Sequence, residues 1–270
     1  MAVLQDHCVN VAGNPAGIPL VFIHGFGCDQ NMWRYVTPAF EADYKIVLLD
    51  LAGSGHSNLS KYDRKKYARL DGHAVDILDI CQALQLEETV LVGHSVSAMI
   101  AALAANREPN RVRSIIMVGP SPSYINDGEY VGGFTREDID GLIEALEANY
   151  LGWSSNMAPL IMGSANPEEL GAELTASFCR TDPDIAAHFA RTTFLSNHRT
   201  DVRQLKHPCL VLQCSDDAIA PMEVGRWLER NIQDCELAIM KATGHCPHIS
   251  APEETVAAMK KFLESQNPAT

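Results

Sequence analysis

The amino-acid sequence predicts an α/β fold in which a mostly parallel β-sheet carries helices on both faces and receives an inserted segment of four helices. Short apolar runs alternate with amphipathic stretches along the 270 residues, which is typical of strands joined by crossover helices. About ninety residues separate the apolar run that ends at Gly119 from the next one, which starts at Cys209. A single crossover is much shorter, so the excess length predicts the insertion.

Apolar runs of four to six residues predict the strands of the core. We expect strands at 19–23, 45–50, 89–92, 114–118, 209–214 and 235–240. The spacing of apolar residues predicts helices at 71–84, 98–105 and 253–263. Because 46% of the residues are hydrophobic, the chain can bury one large core, and residues 1–120 and 200–270 are predicted to form that single domain.

Residues 121–199 are predicted to form a helical lid over the carboxyl ends of the strands. Thr135 and Asp138 have the spacing of a capping box, which starts one helix. Pro167 and Pro183 each follow a residue that favours the start of a helix. The fourth helix is expected to be shorter and to cover residues 153–162.

One serine stands where a predicted strand meets a predicted helix, in the segment 93–97, Gly-His-Ser-Val-Ser. A serine hydroxyl becomes a nucleophile when it is lifted out of the sheet, held against a base and faced by N–H donors. The Gly-x-Ser-x-Gly nucleophile elbow provides this arrangement, and here Ser97 replaces its last glycine. Ser95 is therefore the candidate nucleophile, although short Gly-Ser segments also end strands that carry no chemistry.

A serine at such an elbow works with an acid and a histidine that follow it along the chain, each at the carboxyl end of a later strand. The run 209–214 leads to Asp216 and Asp217, and the run 235–240 leads to His245 and His248. We assign Asp217 as the acid, because it directly precedes a pair of small apolar residues, and His245 as the base. Asp216 and His248 are the competing candidates. Chain order and strand context together favour a Ser95, Asp217, His245 triad.

The oxyanion that forms during attack needs two N–H donors, one of them from the loop after an early strand. The loop 24–27, His-Gly-Phe-Gly, follows the strand 19–23, and its glycines let it fold back toward the serine. We therefore assign the backbone amides of Phe26 and Val96 as the oxyanion hole. His24 is expected to orient this loop rather than to titrate during catalysis.

The segments 24–30, 93–99, 119–124, 126–127, 132–134 and 244–248 together resemble those of a known family. They resemble the RsbQ-like α/β-hydrolases, which regulate a bacterial general stress response and are relatives of the plant karrikin and strigolactone receptor hydrolases. The resemblance extends from about residue 8 to residue 263, nearly the whole chain. Ser97, which departs from the general hydrolase pattern, is similar to what the plant receptors carry.

The resemblance implies an apolar pocket between the lid and the core, although aromatic residues at helical spacing are more often core than ligand wall. Besides Phe26 and Val96, the implied lining residues are Phe134, Leu142, Trp153, Met157, Phe194 and Ile219. An apolar pocket with few polar groups favours a small hydrophobic ester or lactone as substrate. It disfavours charged and peptide substrates.

Three functions are compatible with these residues. The first is a serine hydrolase with a signalling role, in which a ligand or product is sensed by a protein partner. The resemblance favours this function and implies a PAS-domain phosphatase, or another signalling protein, as that partner. The alternatives are a metabolic carboxylesterase and a carbon–carbon bond hydrolase, neither of which needs a signalling partner.

Composition and missing motifs exclude other classes of function. The formal net charge of −13 and the absence of long basic blocks argue against nucleic-acid binding. The chain has no run of 18 apolar residues and no recognisable signal peptide at its start, so we expect a cytoplasmic protein that does not bind membranes. The turn 53–55 fits no nucleotide-binding fingerprint, and no ligand set accompanies His245 and His248. We therefore expect neither a cofactor nor a metal.

The negative charge is concentrated in the predicted lid. Residues 121–200 hold twelve acidic and four basic side chains, and thus eight of the thirteen net negative charges. Two interpretations are open. The acidic surface provides solubility, or it steers a protein partner that has a basic face.

Overall fold

The computed structural model describes residues 2–266, and seven strands within this range form one sheet. The strands are β1 (Asn10–Gly13), β2 (Pro19–Ile23), β3 (Lys45–Leu49), β4 (Thr89–His94), β5 (Val112–Val118), β6 (Cys209–Asp216) and β7 (Cys235–Thr243). Their order across the sheet is β1-β3-β2-β4-β5-β6-β7, with β1 antiparallel to β3 and the other pairs parallel. The predicted mostly parallel sheet is confirmed.

The sequence analysis missed β1 and ended several strands too early. All four residues of β1 are exposed at the sheet edge, so they lack the apolar run that predicts a strand. Strands β6 and β7 continue pairing as far as Asp216 and Thr243, beyond their last buried apolar residues. This extension carries the chain to the carboxyl edge of the sheet, where the candidate acid and histidine follow.

Helices flank the sheet and fill the insertion. Within residues 2–266 they are α1 (Ala2–Asp6), α2 (Asp71–Ala83), α3 (Val96–Arg107), α4 (Arg136–Ala148), α5 (Tyr150–Met162), α6 (Glu168–Cys179), α7 (Pro183–Phe194), α8 (Arg199–Val202), α9 (Met222–Asn231), α10 (Pro247–Ser250) and α11 (Pro252–Ser265). Five of them lie between β5 and β6: α4 to α7 fall within residues 121–199, where four helices were predicted, and the short α8 follows them. Helix α5 packs along α6, and α4 contacts both α5 and α7.

The capping box predicted for α4 is present, whereas the predicted start and length of α5 were wrong. Thr135 and Asp138 form the predicted capping box, with both reciprocal hydrogen bonds present. Helix α5 begins at Tyr150 rather than at residue 153 and is as long as α4. The reason is Asn149, whose side chain accepts a hydrogen bond from the Gly152 N–H and so caps the helix one turn earlier.

Three apolar clusters hold the layers together. Alternate residues of each strand point to opposite faces, so Val21 belongs to a cluster that includes residues of α2, α3 and α9, while Phe22 belongs to another that includes Trp33 and residues of α11. A third cluster lies among α4 to α7 and the loops at the carboxyl end of the sheet. It contains Trp153 and Phe178, and it surrounds the candidate site.

A buried polar network joins the start of the chain to the core. The His7 Nδ1–H donates to the backbone oxygen of Asp50 at 2.9 Å, and His7 Nε2 lies 3.5 Å from the Asp76 carboxylate. Tyr67 donates to the same carboxylate at 2.8 Å, and Lys66 pairs with it. Burial disfavours the imidazolium form of His7, but the hydrogen bond and charge of Asp76 outweigh that effect and raise the pKa of His7.

We expect His7→Gln to lower the free energy of unfolding more at about pH 5.5 than at about pH 9. The pKa of His7 is higher in the folded chain than in the unfolded one. Its contribution is therefore fully present below the unfolded value of about 6.5 and is lost as the pH rises through the folded value. Urea unfolding measures both differences, with exposed His56→Gln as the control. Equal destabilisation by His7→Gln at the two pH values would contradict the role of the Asp76 pair.

Candidate active site

Ser95 sits at a sharp corner between β4 and α3. Its backbone angles are φ 57° and ψ −125°, a conformation that side-chain-bearing residues rarely adopt. The Ser95 N–H donates to the Val118 backbone oxygen at 2.8 Å, which anchors the corner to β5. This is the strand–turn–helix context expected of a nucleophile elbow.

Close packing around this corner explains the residues beside Ser95. A Cβ on Gly93 would clash with the backbone oxygen of Ser97, and one on Gly25 would clash with the ring of His94. The Ser97 hydroxyl donates to the backbone oxygen of His24 at 2.5 Å. The serine that replaces the usual glycine therefore ties the elbow to the loop 24–27.

The structure brings Ser95, His245 and Asp217 into one hydrogen-bonded chain. The Ser95 hydroxyl donates to His245 Nε2 at 2.7 Å, and His245 Nδ1–H donates to Asp217 Oδ2 at 2.7 Å. The other oxygen of Asp217 accepts from the N–H groups of Ile219 and Ala220 at 2.8 and 3.1 Å. A carboxylate held in this way fixes the imidazole with its unprotonated nitrogen toward the serine.

The insertion helps to position His245. The His245 N–H donates to the backbone oxygen of Ile161 at 2.8 Å, so the last turn of α5 supports the histidine loop directly. The preceding residue, Gly244, has φ 80°, and a Cβ there would clash with the backbone oxygen of Met162. The sequence analysis did not predict this contact, because no local pattern connects these distant segments.

The competing acid and base lie elsewhere. Asp216 is exposed at the end of β6, whereas Asp217 is buried against His245. His248 is fully buried, with its ring 4.6 Å from that of Trp33 and 4.3 Å from that of His94. Burial lowers the pKa of His248 well below its usual value. It therefore packs as a neutral side chain away from Ser95.

His24 supports the loop that carries Phe26. Its Nδ1–H donates to the Gly25 oxygen at 2.8 Å, and its Nε2 accepts from the Leu51 N–H at 3.0 Å. Burial lowers the pKa of His24, which keeps the ring neutral in this arrangement. The geometry is that of a loop-orienting residue.

The amides of Phe26 and Val96 are available for an oxyanion. Phe26 lines the same cavity as Ser95, and Val96 is the first residue of α3, where helix N–H groups lack intrahelical acceptors. Among residues 2–266, neither N–H donates to a protein acceptor. Both groups therefore remain available for a bound carbonyl oxygen.

A small cavity, with a volume of about 30 Å³, lies beside the Ser95 hydroxyl. It is lined by Phe26, Cys28, His94, Ser95, Tyr124, Trp153, Ile161, Leu174, Phe178, Thr193, Phe194, Ile219, His245 and Cys246. Trp153, Phe194 and Ile219 are thus placed where the resemblance implied. No lysine, arginine, aspartate or glutamate of the described chain lines this cavity.

Four predicted pocket residues, Val96, Phe134, Leu142 and Met157, do not line the cavity. The Val96 side chain is buried in the core between the sheet and its helices, and the other three are partly buried and pack against the apolar cluster around the cavity. Leu142 lies at the edge of the buried face of α4, and that helix contacts α5 and α7. Met157 is one turn of α5 beyond Trp153, which displaces its side chain by about 6 Å along the helix axis.

Tyr124 and Phe178 line the cavity, but the sequence analysis did not assign them to the site. Burial raises the pKa of the Tyr124 phenol, against the effect of its interaction with the Ser95 hydroxyl. Tyr124 lies shortly after the carboxyl end of β5, and this position could have predicted that it belongs to the site. Phe178 lies on the apolar face of α6, and that face alone does not distinguish a cavity wall from a core.

Residues 20–258 match the sequence model of the Alpha/beta hydrolase family. The chain belongs to this family. A strigolactone esterase from Arabidopsis thaliana is 34% identical over 262 residues, which cover 97% of both chains. The karrikin insensitive 2 receptor CA from Petunia hybrida is 32% identical over 265 residues, covering 97% of this chain and 98% of the receptor.

A solved structure of a hydrolase from Oleispira antarctica superposes with a TM-score of 0.94 and 38% identity, covering 97% of this chain and 96% of that one. The predicted α/β-hydrolase fold is confirmed. In the part of the chain that the structure describes, no helix has the length and apolarity to span a membrane. No group of three or more potential metal ligands is found there either.

We expect Asp217→Asn to reduce kcat/KM for a p-nitrophenyl ester by several orders of magnitude, because an amide favours the wrong tautomer of His245. Asp216→Asn is the matched control and is expected to retain nearly full activity, since its side chain lies outside the hydrogen-bonded chain. Steady-state kinetics of the two variants measure the difference. If Asp216→Asn lost more activity than Asp217→Asn, Asp216 and not Asp217 would be the catalytic acid.

Proposed function

We propose that this protein is a serine hydrolase for a small hydrophobic ester or lactone and that it has a signalling role. The observation that carries the proposal is the hydrogen-bonded chain from Ser95 through His245 to Asp217 at an apolar cavity. A hydroxyl activated by an oriented imidazole and faced by N–H donors is the machinery of acyl transfer.

The proposed reaction has two steps. In the first, Ser95 Oγ attacks the carbonyl carbon while its proton passes to His245 Nε2, and the oxyanion accepts from the amides of Phe26 and Val96. The carbon–oxygen bond of the ester then breaks, and His245 returns the proton to the leaving alkoxide. In the second step, water gives a proton to His245 and attacks the acyl-enzyme, which releases the acid and restores the Ser95 hydroxyl.

The cavity favours a small uncharged substrate. Its wall is made mainly of aromatic and aliphatic side chains, including Phe26, Trp153, Phe178 and Phe194. Burying an ionised group there would cost several kcal/mol without a partner, and no lining residue is a lysine or an arginine. These features support esters and lactones over charged substrates or peptides.

Three observations support a signalling role. Two relatives are named as a strigolactone esterase and as a karrikin insensitive receptor. The hydrogen bond from His245 to Ile161 links the catalytic loop to the inserted helices. The insertion also carries most of the net charge. An RsbQ-like role, with a PAS-domain phosphatase or another signalling protein as partner, is part of this proposal.

We expect p-nitrophenyl acetate to give a burst of about one equivalent of p-nitrophenolate followed by near arrest, since a signalling hydrolase turns over slowly. Ser95→Ala should abolish the burst while changing the melting temperature little, because the hydroxyl makes few packing contacts. Stopped-flow absorbance measures burst and steady state. Fast multiple turnover would favour a metabolic esterase instead, and a burst retained in Ser95→Ala would contradict the nucleophile.

The acidic insertion is expected to accelerate association with a PAS-domain phosphatase from the same organism, in a salt-dependent way. Glu137 and Glu144 on α4 are exposed and have no ion-pair partner among the described residues, whereas Glu147 is bonded to Arg191 and is left intact. Changing both Glu137 and Glu144 to lysine should lower the on-rate several-fold and leave esterase activity unchanged.

The matched control reverses two exposed glutamates outside the insertion, Glu41 and Glu229. Surface plasmon resonance at low and high salt compares the two double variants. Equal on-rates for both, or an on-rate of the wild-type protein that does not respond to salt, would assign the acidic surface to solubility.

A further inference from the structure

Thr193 carries a buried polar atom that the proposed chemistry does not use. It lies on α7, lines the cavity beside Ser95 and is 1% exposed. Its hydroxyl oxygen has no hydrogen-bond partner among the described residues. An unpaired buried hydroxyl costs about 1–3 kcal/mol, so its presence in an apolar cavity calls for a physical reason.

Other helical threonines of this chain pair their hydroxyl groups within their own helix. Thr175, Thr192 and Thr255 each donate to the backbone oxygen four residues earlier, at 2.9, 3.0 and 3.0 Å. Thr193 makes no such bond, although it follows Thr192 on the same helix. Its hydroxyl is therefore free to serve a group inside the cavity that it lines.

Trp153 lines the same cavity and carries a second unpaired polar group. Its side chain is 6% exposed, and its indole Nε1–H has no acceptor in the described part of the chain. The ring stacks on Phe178 at 5.7 Å and meets Phe26 edge-on at 6.1 Å, which holds it in place. An indole N–H can only donate, so it selects for an acceptor.

Most of the other polar groups of the cavity already have a partner. Ser95 and His245 are bonded to each other, Tyr124 interacts with the Ser95 hydroxyl, and His94 Nε2–H donates to the backbone oxygen of His245 at 2.9 Å. His94 Nδ1 has no partner among the described residues, but an unprotonated ring nitrogen is an acceptor and not a donor. Burial lowers the pKa of His94 to about 3, so that ring brings no positive charge to the cavity. Without a cationic neighbour, an anionic ligand group would be disfavoured.

We infer that the ligand carries, besides the carbonyl that Ser95 attacks, at least one further uncharged oxygen, such as a ketone or an ether, that accepts hydrogen bonds from Thr193 and Trp153. This inference rests on the proposed function and narrows its substrate class. A purely hydrocarbon ester would leave both donors unpaired when it fills the cavity. Sites with buried hydrogen-bonding groups reject analogues that lack the matching atom.

The test compares esters of equal chain length with and without a remote ketone. Two pairs scan the ketone position: p-nitrophenyl 4-oxopentanoate against the pentanoate, and 5-oxohexanoate against the hexanoate. The measured quantity is the ratio of kcat/KM within each pair. The wild-type protein is expected to favour the oxo ester in at least one pair, and Thr193→Val should lower that ratio about tenfold, as expected for one lost hydrogen bond.

Three further variants separate the hydrogen bond from a general structural effect. Thr193→Ser keeps the hydroxyl and should retain the preference, whereas Trp153→Phe removes the indole N–H and should reduce it. Thr192→Val is the matched control, because the Thr192 hydroxyl bonds the backbone of its own helix. A Thr193→Val ratio within about twofold of wild type in both pairs would overturn the inference.

The measurements distinguish a failure of the proposed function from a failure of this inference. If the chain is not a serine hydrolase, no ester is turned over in a Ser95-dependent manner, whatever the ratios. Calorimetric dissociation constants of the same esters on the Ser95→Ala protein still compare oxo and hydrocarbon ligands in that case. Equal affinities within each pair, unchanged by Thr193→Val, would then count against the second oxygen.

Discussion

The backbone conformation of Ser95 is the constraint on which the rest of the site depends. A positive φ at a residue with a side chain costs about 1–3 kcal/mol, and it persists only where the surroundings impose it. Here the surroundings are β5, which accepts the Ser95 N–H, and the close packing at Gly93 and Gly25. That conformation points the hydroxyl at His245 and leaves the Val96 amide beside it. The same packing brings the Phe26 loop to the serine.

The inserted helices cover the active site and also help to hold it in place. The backbone bond between His245 and Ile161 ties the last turn of α5 to the catalytic loop. Any displacement of α5 must therefore break that bond or carry the histidine with it. The signalling role proposed above depends on this contact between the inserted helices and the active site.

Local sequence signals were sufficient for most of the fold and for the positions of Ser95, Asp217 and His245. Apolar runs mark buried parallel strands, and residues that follow such strands converge at one edge of the sheet. The pocket was less predictable, because its lining depends on how helices of the insertion pack on each other. The side chains of Val96, Phe134, Leu142 and Met157 fell outside the cavity, while Tyr124 and Thr193 were found only in the structure. Strand β1 was missed because it buries no residue.

Mass-spectrometric peptide mapping after treatment with a fluorophosphonate tests the central claim most directly. These reagents phosphonylate a serine only where a base and oxyanion donors activate it. We predict a single adduct, on Ser95, that forms in the folded protein and fails to form in His245→Ala. An adduct on any other residue, or no adduct in the folded wild-type protein, would contradict the assignment of Ser95 as an activated nucleophile.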